Sequence, residues 1–227
     1  MAGIAGQPSI VTSGLVFYLD AANRKSFVSG SKNWIDLSNN NYTGSLKNGV
    51  GYSGTNLGSL VFDGTNDYVS ASSISSLFTG DMTAEAWIKL TAFSGDWVRI
   101  IGTAKTSGDD RTFGIWYWVD GGILWQRTGG TNPNMYSTSP KLTVGSWTYV
   151  AATTSGTSHA LYLNGVSIGT ATAAGPWTAS GQPITVGYAG FHTYTNSSIS
   201  GVKLYTRGLT AAEILQNYNA TKVRFGL

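Results

Sequence analysis

From Gly14 onward the chain alternates short apolar runs with clusters of Gly, Ser, Asn, Thr and Asp. Such runs, rich in β-branched and aromatic side chains, suit the pleated surface of a strand. They predict strands at 15–19, 59–62, 67–69, 82–90, 97–101, 112–119, 123–127, 147–153, 184–186 and 199–205. Residues 161–163 and 166–168 flank Asn164-Gly165, a pair suited to a type I′ turn because both central positions need positive φ. Roughly a dozen short strands with frequent turn signals, and no helices alternating with them, predict a sandwich or barrel. One helix is expected near the end. Thr210-Ala211-Ala212-Glu213 reads as a capping box, and Ile214, Leu215 and Tyr218 supply an apolar stripe that ends near Asn219. Within 112–119 strict alternation puts Phe113, Ile115, Tyr117 and Val119 on one face and Gly114, Trp116 and Trp118 on the other. The first set reads as inter-sheet core. Two tryptophans on the opposite face mark a contact surface, met by a ligand, a covering loop or a neighbouring subunit, with Trp125 of the next strand expected beside them. The aromatics Phe17, Phe62, Trp87, Trp147 and Tyr149 read as core.

Composition narrows the classes. Of 227 residues, 41% are hydrophobic and only 11% charged, against about 25% charged in an ordinary domain. Solubility therefore rests on uncharged polar groups. Residues 14–227 are expected to form one domain, since all-β sandwiches fill this length and no linker divides it. Residues 1–13, with Gly3, Gly6 and Pro8, read as an arm, either a flexible terminus or a segment that docks on a neighbouring subunit. The chain holds no Cys, which suits synthesis in a reducing compartment. Residues 1–13 lack the basic start and apolar run of a secretory signal, and no stretch reaches the roughly 20 apolar residues of a membrane span. The net charge is +3 with its basic residues scattered; Lys203, Arg207, Lys222 and Arg224 are the nearest to a run, and no nucleic-acid partner is expected.

Seven segments carry a resemblance: residues 14–21 (Gly-Leu-Val-Phe-Tyr-Leu-Asp-Ala), Trp34-Ile35-Asp36-Leu37-Ser38, and Val61-Phe62-Asp63-Gly64 with Asp67-Tyr68-Val69. The others are Thr83-Ala84-Glu85-Ala86-Trp87-Ile88, Trp147-Thr148-Tyr149-Val150-Ala151, Leu161-Tyr162-Leu163-Asn164-Gly165, and 202–210 running through Glu213-Ile214. In this order, over residues 14–220, they resemble the laminin-G-like, concanavalin A-like lectin/glucanase superfamily. The resemblance implies an all-β jelly-roll sandwich of two antiparallel sheets with one short C-terminal helix. Gly201, read as standing just before the last strand, departs from the acidic residue that many members carry there. The opening and the closing Tyr218-Asn219-Ala220 with Arg224-Phe225-Gly226 are similar to domains of tailed-phage structural proteins. That implies a virion protein made in the host cytoplasm, a tail-fibre, receptor-binding or capsid decoration subunit, with other virion proteins and host surface polysaccharide as partners and a homo-oligomeric state.

Candidate chemistry follows from residue types. The superfamily's glucanases use paired carboxylates about 5–5.5 Å apart, on a Glu-x-Asp-x-x-Glu strand. Here the only two Glu are Glu85, mid-strand without an acid at i+2, and Glu213, which belongs to the capping box. His159 and His192 lie at unrelated places, and no Cys is present. No enzyme is expected; a free carbohydrate-binding module, or less favourably a glycan hydrolase, is the alternative. Sugar contacts are expected from Trp116, Trp118 and Trp125, from Asn132, Asn134 and Tyr136, and from Phe191, His192 and Tyr194, because rings stack on pyranose faces and amides fix hydroxyls. Asp63, Asn66 and Asp67, joined by Asp20, gather oxygens of the kind that hold Ca²⁺, although Asx-turns at Asp63 and Asn66 are the alternative.

Overall fold

The computed structural model describes residues 8–105, 111–191 and 193–227. Two large antiparallel sheets face each other. The first runs in space through β15 (Val166–Thr172), β14 (Ser158–Leu163), β13 (Trp147–Ser155), β7 (Met82–Ala92), β18 (Asn196–Tyr205), β5 (Ser59–Asp63) and β4 (Gly51–Ser53). β1 (Leu15–Asp20) also pairs with β18. The second sheet runs through β12 (Asn134–Ser137), β10 (Ile123–Arg127), β9 (Phe113–Tyr117), β8 (Val98–Thr103), β17 (Ile184–Val186), β6 (Tyr68–Ser70), β3 (Gly44–Lys47) and β2 (Asn33–Trp34). A separate two-stranded ribbon pairs β11 (Gly129–Thr131) with β16 (Ala174–Trp177). This is the jelly-roll sandwich that the resemblance implies, and Asn164 and Gly165 take the positive φ of the expected hairpin turn, 49° and 80°.

The inner faces alternate as strands must. Phe17, Leu19, Phe62, Ala84, Ala86, Ile88, Val150 and Leu204 of the first sheet meet Val69, Ile101, Phe113, Ile115, Tyr117 and Ile123 of the second in one buried core. Val119 departs from its expected place in that core. β9 ends at Tyr117, and Val119 stands exposed in the following turn, where Gly121 N donates to Trp118 O. Gly201 lies inside β18 rather than before it, where pairing passes from β5 to β1. A Cβ there would stand 3.1 Å from Leu19 O, so a small residue lets β1 approach.

The outer face of the first sheet is covered from within the chain. The capping box forms: Thr210 Oγ1 accepts from Glu213 N, and Glu213 Oε2 accepts from Thr210 N, opening α1 (Ala211–Thr221). Ile214 is fully buried and Tyr218 packs partly buried against Trp87, Tyr149 and Tyr205. Leu215, expected on the same stripe, is exposed, and the helix continues two residues beyond Asn219. Of residues 1–13, those up to 7 lie outside the described residues. The rest run along α1, where Val11 N donates to Asn217 Oδ1 and Gln216 Nε2 donates to Ser9 O.

Beneath the helix lies a buried polar network. Lys203 Nζ donates to Glu85 Oε2 at 3.0 Å and Asn217 Nδ2 donates to Glu85 Oε1 at 2.8 Å. Tyr205 OH donates to Val11 O. Buried ions are tolerated when they are paired and hydrogen-bonded like this.

Candidate functional site

The outer face of the second sheet is the open one. Register places Arg99 opposite Trp116, Trp116 opposite Leu124 and Leu124 opposite Tyr136, a single row across β8, β9, β10 and β12. Next to it run Gly102, Gly114, Gln126 and Asn134. Successive strand residues point to opposite faces, so these rows look outward while Ile115, Trp125 and Met135 look into the core. Over the rows opens a cleft of about 790 Å³, within the range of roughly 300–1,000 Å³ typical of small-ligand sites. Trp97, Trp116, Trp118, Tyr136 and Phe191 supply its rings, and Asn134, Gln126, Lys105 and Arg111 its polar groups.

Trp116 forms the floor and is only 2% exposed. The Arg99 guanidinium lies beneath it, 3.8 Å from the ring centroid, and the Phe191 ring meets it edge-on at 6.2 Å. Of the ligand, loop or neighbouring subunit considered for this face, a loop of the same chain, carrying Ala189 and Phe191, packs on this tryptophan. Arg99 is wholly buried. Nη1 donates to Thr103 O, and Nε and Nη2 have no partner among the described residues. Burial, and secondarily the charge of Arg111, hold its pKa well below the ordinary arginine range. Trp118, beyond the end of β9, is partly exposed and leans on Trp97 at 4.4 Å and 59°. Tyr136 is 42% exposed and stands 5.9 Å from Trp97, nearly perpendicular. The open rings therefore form an angled corner above a fixed floor.

The remaining candidates divide. Trp116, Trp118, Asn134, Tyr136 and Phe191 converge on the cleft. Trp125 does not. It pairs with Ile115, shares that residue's inward parity, and donates from Nε1 to Thr154 Oγ1 inside the core; Leu124 takes the outer place. Asn132 sits in an exposed turn with φ 50°, outside the cleft walls. Tyr194 stacks on Tyr188 elsewhere on the sheet. His192 lies outside the described residues. Trp97, Lys105, Arg111, Leu124 and Gln126 were not foreseen. Leu124 and Gln126 were readable from the parity of their strand, whereas Trp97 is aimed by a positive φ of 56° ahead of β8, which no periodicity announces.

Of the oxygens considered for calcium, those of Asp20 stand apart from the rest. Asp20 lies opposite Gly201 and Asp63 opposite Asn196, five residues apart along β18. Asp20 is clamped by Arg224 at 2.6 and 2.7 Å, while Asp67 accepts from Gly49 N and Asp63 N, and Asp63 from Thr65 N. Their lone pairs serve the fold, and no cluster of three or more His, Cys, Asp or Glu occurs among the described residues. Asp20 therefore does not share one site with Asp63 and Asp67. Glu85 is engaged by Lys203 and Asn217, and Glu213 by Thr210 and bidentately by Arg207. His159 is buried against Trp177, with Nδ1 3.0 Å from Thr154 Oγ1.

Fold and cleft together define a lectin-like sandwich. The chain belongs to the concanavalin A-like lectin/glucanases superfamily, whose match covers residues 63–215, about two thirds of its length. No curated protein sequence matches it. Among solved structures, the binding domain of botulinum neurotoxin serotype D is similar at a TM-score of 0.70 and 14% identity, over 92% of this chain and 52% of that one. Trypanosoma rangeli sialidase in complex with sialic acid gives 0.69 and 16%, over 97% of this chain and 36% of that one. The binding domain of Paraclostridial Mosquitocidal Protein 1 gives 0.66 and 18%, over 91% and 52%. The chain spans about a third to a half of the length of these structures, and identities this low establish the fold alone.

Proposed function

We propose that this is a carbohydrate-binding domain of a tailed-phage structural protein, which holds host surface polysaccharide in the aromatic cleft without cleaving it. The observation that carries this reading is the cleft itself: partly exposed Trp97, Trp118 and Tyr136 set at angles over a rigid floor, with Asn134 and Gln126 at hydrogen-bonding reach of the same space. Rigid amphipathic rings bind at low entropic cost, and amides fix orientation. The absence of cleavage is supported by the engagement of both glutamates elsewhere, away from the cleft. The similar structures named as binding domains agree with the reading at the level of fold, and the phage setting is supported by the closing segment of the sequence.

The test is a glycan array of bacterial surface polysaccharides, followed by calorimetry on the strongest ligand. Trp118→Ala, at a partly exposed position past the end of β9, should lower affinity at least about tenfold while leaving the circular dichroism unchanged. Failure of the wild-type protein to bind any host glycan rejects the lectin reading and leaves an assembly role, which light scattering would show as a stable oligomer.

A further inference from the structure

The outward row that holds the cleft floor does not stop at Arg99. β17 pairs with β6 through Val186 opposite Val69 and with β8 through Val186 opposite Ile101. Past Val186 the backbone leaves strand geometry at Gly187, φ 84°, whose N donates to Ile100 O, and Ile100 itself is turned into the core. A bulge at Ile100 then passes the row to Arg99 and Trp116. Val69 is buried in the core, so Tyr68 points outward, on the same face as Trp116. One line thus runs from Tyr68 through Trp116 to Tyr136, five strand spacings or about 24 Å.

Aromatic rings occupy both ends of that line. Tyr188 and Tyr194 are stacked, with centroids 4.0 Å apart and planes 11° from parallel, and Tyr68 lies 5.4 Å from Tyr188 and 6.3 Å from Tyr194. All three are partly exposed. The segment between β17 and β18 builds both ends at once. It is closed at its base by Thr195 N donating to Gly187 O. It sends Ala189 and Phe191 toward Trp116, and Tyr188 and Tyr194 toward Tyr68. Stacked tyrosines beyond a binding cleft, on one face and in one row with it, are suited to the next part of the same elongated ligand.

We propose that Tyr68, Tyr188 and Tyr194 form a second sugar-stacking platform, which holds the extension of the polysaccharide whose neighbouring segment fills the cleft. This rests on the carbohydrate-binding reading above, and the two are separable by ligand length. Calorimetry would use size-graded fragments of purified bacterial O-polysaccharide and capsular polysaccharide, from single repeat units to long chains. The Tyr188→Ala/Tyr194→Ala double variant should bind short fragments like the wild-type protein and long ones about tenfold more weakly, the scale of one lost stacking contact. Trp118→Ala should weaken both. Equal binding of long chains by the tyrosine variant and the wild-type protein overturns the second platform and leaves the cleft reading intact. A change in oligomeric state by light scattering with affinity unchanged overturns it in favour of a contact between copies of this chain. A wild-type protein that binds no fragment of any length removes both readings.

Discussion

At Gly114 a Cβ atom would stand 2.6 Å from Trp116 Nε1 and 2.8 Å from Arg99 Nε, closer than unbonded heavy atoms pack. At Gly102 the added atom would press on the Arg99 guanidinium and also on Phe113 O and the Gly114 backbone. The two glycines therefore vacate the bed in which Arg99 lies flat, and Arg99 in turn sets the height of the Trp116 ring. A buried guanidinium is costly, and here the quadrupole of the indole face and the Thr103 carbonyl supply compensation. Overpacking such a site costs about 1–3 kcal/mol, more where the clash is with backbone than with a side chain that can shift. Gly102→Ala should accordingly lower stability more than Gly114→Ala in urea denaturation. Gly114→Ala should also raise the Trp116 ring, red-shift tryptophan emission and weaken glycan binding. Equal stability of the two variants, with unchanged emission, would contradict this account of the floor.

The helix shows how an element is held at two levels. Its start is local: Thr210 and Glu213 satisfy each other's backbone donors, and Thr210→Ala should cost about 1 kcal/mol, the usual value of an N-cap. Its docking is not local, because Asn217 alone bonds Glu85, Val11 and Tyr205 in a buried setting. Asn217→Ala leaves Val11 N and Glu85 Oε1 short of partners and should cost about 3 kcal/mol or more; thermal melts of the two variants that coincide would refute the ranking. The same division explains what could be read in advance. The capping box, the Asn164-Gly165 hairpin and the strands of the two sheet centres announce themselves through short-range chemistry and period-two alternation. The short strands β2, β3, β4 and β11, at or next to a sheet edge, are two to four residues long and rich in Gly, Ser and Asn, so their pairing is fixed only by neighbours distant in sequence. For the site, the parity of Phe113, Ile115 and Tyr117 correctly set Trp116 on the other face. Applied to Ile123, Trp125 and Arg127, the same rule would have turned Trp125 inward. Residues delivered by loops and bulges, such as Trp97 and Phe191, carried no such signal.

Across the whole molecule the two outer faces serve different ends. The first sheet is sealed by α1, the N-terminal segment and the Glu85–Lys203–Asn217 network, while the second is left with rings and amides facing solvent. The two sheets are also joined at one end by a buried polar contact. Trp125 Nε1 donates to Thr154 Oγ1, which also stands 3.0 Å from His159 Nδ1, at hydrogen-bonding distance. Burial, and then the positive charge of Arg127, lower the His159 pKa to about 4. An unfolded histidine titrates near 6.5, so between about pH 6.5 and 4 the unfolded chain binds more protons than the folded one. Stability is then complete above about pH 6.5 and falls as pH drops toward 4, by up to about 3 kcal/mol, and changes no further below that for this group. Glu213 contributes in a lower window. Its pKa is held at about 2, first by hydrogen bonding to Arg207, so its stabilisation is lost from about pH 4.5 down to 2, and its exposure keeps that share small. Urea denaturation of wild-type protein and His159→Gln across pH 8 to 3 separates the two. The variant should lose the slope between pH 6.5 and 4 and keep the shallower one below it, and an undiminished slope in the upper window would show that His159 is not the group that couples acid to the joint between the sheets.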